Sequence, residues 1–144
     1  MGRIVSFRGT VVDGGEEMIP LSTNNGLIGY KITKFQVMTQ TFQNAELIVR
    51  IWKVPDVVQG NTDFSDNRLL AAAMYSSPAA AETNPEDITI IFDNEIFNQD
   101  IYVTNTGVSS AQTMNFYIEL EQMKLDLNEQ TVATLKDIRN VGAE

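Results

Sequence analysis

The chain of 144 residues is 43% hydrophobic and 20% charged, the balance of one globular domain with enough apolar mass for its own core. It contains no Cys and no His, which removes disulfides, thiolate nucleophiles, the commonest general base and the usual zinc ligands. Nineteen acidic residues against ten basic ones, a net charge of −9, disfavour a phosphate-backbone partner, and the ten cations are scattered along the chain.

Taken in order, Arg3 to Val12 is β-branched and alternating, with Val5, Phe7 and Val11 on one face. Asp13-Gly14-Gly15 predicts a tight turn, because Gly tolerates positive φ. Glu16 to Leu21 reads as a short edge strand, since Pro20 cannot donate to a ladder. Leu27 to Thr39 is a second strong strand in which the apolar parity switches. Ile28, Tyr30 and Ile32 share one side, and Phe35 and Val37 fall on the opposite parity. Such a switch predicts a bulge, or a strand bending between sheets. Glu46 to Val54 alternates Leu47, Val49 and Ile51 against Ile48, Arg50 and Trp52, and Pro55 ends it. Asp56 to Asn67 is loop by composition. Leu69 to Tyr75 (LLAAAMY) has helical propensity but is short and lies between strands, so a strand is expected.

Ile88 to Phe92 is apolar on both sides, which predicts a strand buried on both faces or at a sheet centre. Ile96-Phe97 reads as a buried pair and Asp100 to Thr104 as another strand. The longest strand follows Gln112, with Met114, Phe116, Ile118 and Leu120 facing the core. Asn128 to Asn140 predicts a short helix with Val132, Leu135 and Ile138 as a narrow apolar stripe. A helix of ~12 residues is marginal alone in water. The stripe is therefore expected to make subunit contact, on its own body or on a neighbour. The expected fold is all-β, an antiparallel β-sandwich of jelly-roll type with seven or eight strands plus a short C-terminal helix. The division is a sandwich domain over residues 1–126 and a helical arm over 127–144. No apolar run approaches the ~20 residues of a membrane span, and the start MGRIVSF lacks a signal-peptide apolar region.

Three residue sets could carry chemistry. Asp56, Asp63, Asp66, Asp93, Glu95 and Asp100 supply loop carboxylates of the type calcium uses, but their spacing does not match a calcium loop, and solvated turns explain them as well. Glu119 and Glu121, about 7 Å apart on one strand face, have a separation a glycosidase could use, although alternating exposed acids on a strand are commoner. Trp52, Tyr30, Tyr75, Tyr102 and Tyr117 could stack on sugars in a host-attachment module, or simply pack. No P-loop, GxGxxG, GxSxG or CxxC is present, so no cofactor and no enzymatic activity are expected.

The segments RIVSFRGTVVDGG, LSTNNGLIGYKITKFQVM, IIFDNEIFNQDIYVT and YIELEQMKLDLNEQTVATLKDIRN resemble small virion structural proteins of marine tailed bacteriophages. The resemblance covers nearly the whole chain and contains no catalytic signature. It implies a sandwich or jelly-roll subunit, assembled in the host cytoplasm and present in many copies on the particle. Its place would be as a decoration, cement or minor capsid protein, or in the tail or neck. The partners so implied are the major capsid protein or neighbouring copies, with no nucleic acid, membrane or small-molecule ligand.

Overall fold

The computed structural model describes residues 2–21, 26–40, 45–57, 62–77, 87–107, 113–126 and 134–135. Their strands are β1 (Arg3–Val11), β2 (Glu16–Ile19), β3 (Ile28–Thr39), β4 (Ala45–Trp52), β5 (Leu69–Ser77), β6 (Asp87–Phe92), β7 (Ile101–Gly107) and β8 (Met114–Lys124). They form two antiparallel sheets, three-stranded β1-β8-β3 and five-stranded β2-β7-β4-β5-β6. The LLAAAMY run is strand β5, paired along its length with β4, so tertiary pairing overrides its helical propensity.

β8 is the centre of the three-stranded sheet, with β1 along one edge and β3 along the other. Its alternation puts Met114, Phe116, Ile118 and Leu120 inward, all buried. The five-stranded sheet answers with Leu47, Val49, Ile51, Ala71, Ala73, Tyr75, Ile101 and Val103, so the two sheets share one core. Gly9 on β1 lies opposite Phe116, whose ring tip would stand 3.1 Å from an added Cβ. The aromatic ring thus covers the gap that the missing side chain leaves.

The parity switch in β3 is a bulge. The register against β8 shifts between Ile32 and Lys34, leaving Thr33 as the extra residue. Its hydroxyl donates to the Glu119 carbonyl oxygen at 3.1 Å. With one residue inserted, Tyr30 and Ile32 before it and Phe35 and Val37 after it all stay buried on the core side. The turn after β1 closes with Gly15 N donating to Val12 O at 2.8 Å, and Gly14 takes φ 75°. Asn105 clamps this turn to β7: its side-chain Nδ2 donates to Val11 O at 3.1 Å, and its backbone carbonyl accepts from Gly14 N at 2.8 Å.

Two expectations need correction. The ITIIF strand is not central: β6 is the outermost strand of its sheet, and Ile91 is 46% exposed. Its continuous apolar run reflects an edge strand with an apolar outer side chain, which sequence periodicity cannot tell from a buried strand. The Ile96-Phe97 pair divides as well. Phe97 is buried, bridges to Tyr30 and stacks on its ring with centroids 6.3 Å apart, whereas Ile96 is exposed. The predicted C-terminal helix, with Val132 and Ile138, lies outside the described residues. Thr134 and Leu135 have helical backbone.

Removing Thr33 should shift half of β3 by one residue and turn either Tyr30 and Ile32 or Phe35 and Val37 outward. The deletion variant is expected to lose cooperative urea unfolding, while Thr33→Ser stays within about 0.5 kcal/mol of wild type.

Candidate functional site

The two sheets present very different outer faces. On the five-stranded sheet, Arg50 and Trp52 point away from the core, yet each is only 1% exposed. Arg50 Nε donates to Thr62 Oγ1 at 2.9 Å, and Trp52 Nε1 donates to Thr104 Oγ1 at 2.9 Å. Burial pushes the Arg50 guanidinium below its usual range. Buried Lys53 pairs with Glu95, and Lys53 N donates to Arg68 O at 2.9 Å. Asp56, at φ 59°, donates its backbone N–H to Glu16 Oε1 at 2.9 Å, which ties it to β2.

The Asp63–Asp66 turn is internally braced. Ser65 donates to Asp63 Oδ1 from both its backbone N, at 2.9 Å, and its hydroxyl, at 2.6 Å. Arg68 forks onto Asp66 through Nε and Nη2 at 3.0 and 2.9 Å. Hydrogen bonds from Ser65 hold the Asp63 carboxyl below the ordinary carboxylate range, and those from Arg68 do the same for Asp66. The remaining candidate acids are dispersed. Asp100 accepts from Leu21 N at 2.8 Å, and Asp93 is exposed beyond β6. Among the described residues, no three carboxylates come together as a metal site.

The outer face of the three-stranded sheet is open. Its rows across β1, β8 and β3 run Ile4–Glu121–Lys31, Ser6–Glu119–Lys34, Arg8–Tyr117–Gln36 and Thr10–Asn115–Met38. Ile4 is 54% and Met38 62% exposed. Glu121 pairs with Lys31 at 3.4 Å, Glu119 accepts from Tyr117 OH at 2.7 Å, and Lys34 Nζ lies 6.0 Å from the Tyr117 ring centre. The bond to Glu119 raises the Tyr117 phenol above its ordinary value. A half-open cavity of about 700 Å³ spans the sheet at the level of Gly9, Phe116 and Val37. Arg8, Gln36, Met38, Asn115, Tyr117 and Ile90 also line it.

This arrangement separates the residue sets read from the sequence. Glu119 and Glu121 share a face, but neither lines the cavity. Of the five aromatics, Trp52, Tyr30 and Tyr75 are buried, while Tyr102 and Tyr117 stand on different sheets, so no stacking platform forms. The fold also gathers what is scattered in sequence. The strands β1, β3 and β8 carry Arg3, Arg8, Lys31, Lys34 and Lys124 against only Glu119 and Glu121. Reading the polar parity of those strands finds Arg8, Lys31 and Lys34, but only strand order shows that they share one sheet face. At the tail, buried Asn98 donates to Thr134 Oγ1 at 2.9 Å and to Gly26 O at 3.1 Å, while Leu135 is 59% exposed.

No protein-family profile matches the chain, and no curated protein matches it in sequence. Solved structures of similar shape include one of maize chlorotic mottle virus, at 7% identity and TM-score 0.35, covering 87% of this chain and 96% of that one. The Bacillus endospore appendages, a family of disulfide-linked pili, match at 11% identity and TM-score 0.33, covering 88% and 92%. The Yersinia pseudotuberculosis-derived mitogen matches at 14% and 0.30, covering 88% and 89%. Likenesses this loose carry no functional argument.

Because Asp63 and Asp66 titrate lower folded than unfolded, the unfolded chain binds more protons in the acid range. Their contribution is present above the unfolded value of ~4 and is lost as pH falls through the lower folded values. Asp66→Asn should therefore flatten the acid limb of a stability–pH profile measured by urea unfolding.

Proposed function

We propose that this chain is a non-enzymatic structural protein of a phage virion, capsid-associated as a decoration, cement or minor capsid subunit, and that it acts through protein–protein contacts. The observation that carries the reading is the asymmetry of its outer faces. On the five-stranded sheet Arg50 and Trp52 are buried and hydrogen-bonded to Thr62 and Thr104, although Met18, Met74 and Ile91 stay exposed. The three-stranded sheet is left open, with exposed Ile4 and Met38 among Arg8, Lys31 and Lys34. A face that mixes apolar side chains with alternating charges suits a protein partner. The sequence resemblance to small virion proteins supplies the setting.

The strand order supports a jelly-roll classification. A jelly roll winds an eight-strand ribbon so that the first strand meets the last, the second meets the seventh, and so inward. β1 pairs with β8, β2 with β7 and β4 with β5, in nested order. The remaining nested pair, β3 with β6, is not hydrogen-bonded, because β6 stays beside β5.

The tail is read as an arm. Thr134 holds it to the body through Asn98, while Leu135 faces outward with Val132 and Ile138 as its companions in sequence. Leu135→Asp is expected to leave the unfolding midpoint unchanged and to weaken binding to particles. Equal binding by the variant would sink the arm role.

Quantitative mass spectrometry of purified virions tests the central claim. Hundreds of copies per particle support the capsid placement, a handful moves the protein to neck or tail, and its absence from particles overturns the reading.

A further inference from the structure

The two sheets end in four outer strands, β1 and β3 on one and β2 and β6 on the other. An outer strand offers unpaired backbone N–H and C=O groups to any extended chain, and natural sheets blunt such edges with charge, Pro, bulges, short length or cover. Three of these edges carry such devices. β1 holds Arg3 and Arg8. β2 is four residues long, begins with Glu16 and Glu17 and runs into Pro20. β3 holds Lys31 and Lys34, bulges at Thr33 and is bridged at Tyr30 by Phe97. After its first residue, Asp87, β6 has none of them. Ile88 to Phe92 contains no charge, Gly or Pro, and the pairing with β5 runs unbroken from Ser76↔Asp87 to Ala71↔Phe92. Among the described residues, no strand pairs with the other side of β6.

The side chains at this edge specify what an added strand must bring. Ile91 is 46% and Phe64 68% exposed. Both line one depression of about 240 Å³ with Leu70, Phe92 and Asp93. Asp93 closes the C-terminal end of β6, where its backbone N–H donates to Leu70 O at 3.1 Å. Its side chain is exposed and, among the described residues, forms no ion pair. The chain as a whole carries a net charge of −9, which attracts a cationic partner and disfavours a second copy.

We propose that β6 accepts an extended segment of a different protein, alternately apolar and antiparallel to β6, with a Lys or Arg near its start that meets Asp93. Main-chain hydrogen bonds to the free edge supply the affinity, and alternate apolar side chains covering Ile91 and the depression beside Phe64 supply the selectivity. Antiparallel pairing is the more stable geometry per residue. It sets the start of the added strand beside the end of β6, which fixes the position of the cation. The contact is independent of the virion reading, which concerns where the chain is found.

NMR amide exchange and chemical shifts on the full chain test this with three acetylated peptides of about seven residues, alternating Val and Thr and beginning with Lys, Ser or Glu. In the free protein alternate amides of β6 should exchange fast. The Lys peptide should protect them and shift Phe64 and Ile90 to Asp93. At low salt it should bind about threefold tighter than the Ser peptide, the scale of one exposed ion pair, and the Glu peptide should bind weakest. Asp93→Lys, confirmed folded by thermal melting, should reverse that order, and N-methylation throughout the peptide backbone should abolish binding. Any one of four results overturns the strand-addition site: β6 amides all protected in the free monomer, no response to the Lys peptide, equal binding of the N-methylated peptide, or an unchanged order in Asp93→Lys. A chain that dimerises with concentration while protecting β6 makes a second copy the occupant and excludes the foreign strand. The virion reading stands or falls separately, on whether the protein is found in particles.

Discussion

The inward face of β8 is the interaction on which the rest of this molecule depends. Met114, Phe116, Ile118 and Leu120 are all buried, and the same strand pairs along nearly its whole length with β1 on one side and β3 on the other. At about 1.5–3 kcal/mol for each large apolar side chain fully buried, one face of one strand contributes on the scale of a domain's net stability. The pairing also brings the first strand beside the last, so the three-stranded sheet cannot close until the whole chain is present.

The demands of that core explain the local irregularities. β3 must follow β8 for twelve residues while its apolar residues change parity half-way, and Thr33 absorbs the mismatch as a bulge. Gly9 leaves a gap in β1 that the Phe116 ring covers. On the far sheet the apolar supply runs past the core, since Trp52 lies on the outer face of β4. Trp52 is nonetheless buried, and each enclosed polar group has a partner: Arg50 has Thr62, Trp52 has Thr104 and Lys53 has Glu95. Both sheets still expose apolar side chains, Met18, Met74 and Ile91 on one and Ile4 and Met38 on the other.

Much of this was legible in the residues. Alternation located the strands, and the parity switch between Ile32 and Phe35 announced the bulge. Pro20 marked β2 as an edge strand. The errors came where periodicity is silent. Ile88 to Phe92 looked central because both parities are apolar, but an edge strand that leaves Ile91 exposed has the same pattern. Trp52 and the tyrosines fitted packing as well as a platform because a list of aromatics carries no depth, and three of the five are buried. The acids of Asp63–Asp66 fitted solvated turns as well as cation ligands, and they are spent on an Asx-type turn and an ion pair.

The sequence by itself determined that this is an all-β chain without the thiols or imidazoles that much chemistry requires. Those properties follow from composition and from the two-residue period of side chains along a strand, and both are local. Only the tertiary structure decided which strands adjoin, and with that the character of the surface. Arg8 lies 23 and 26 positions from Lys31 and Lys34 in the chain and comes onto the same sheet face only because β8 returns from the far end to sit between β1 and β3. Pairing between strands remote in sequence is set by register and burial across the whole core, and no window of residues contains it.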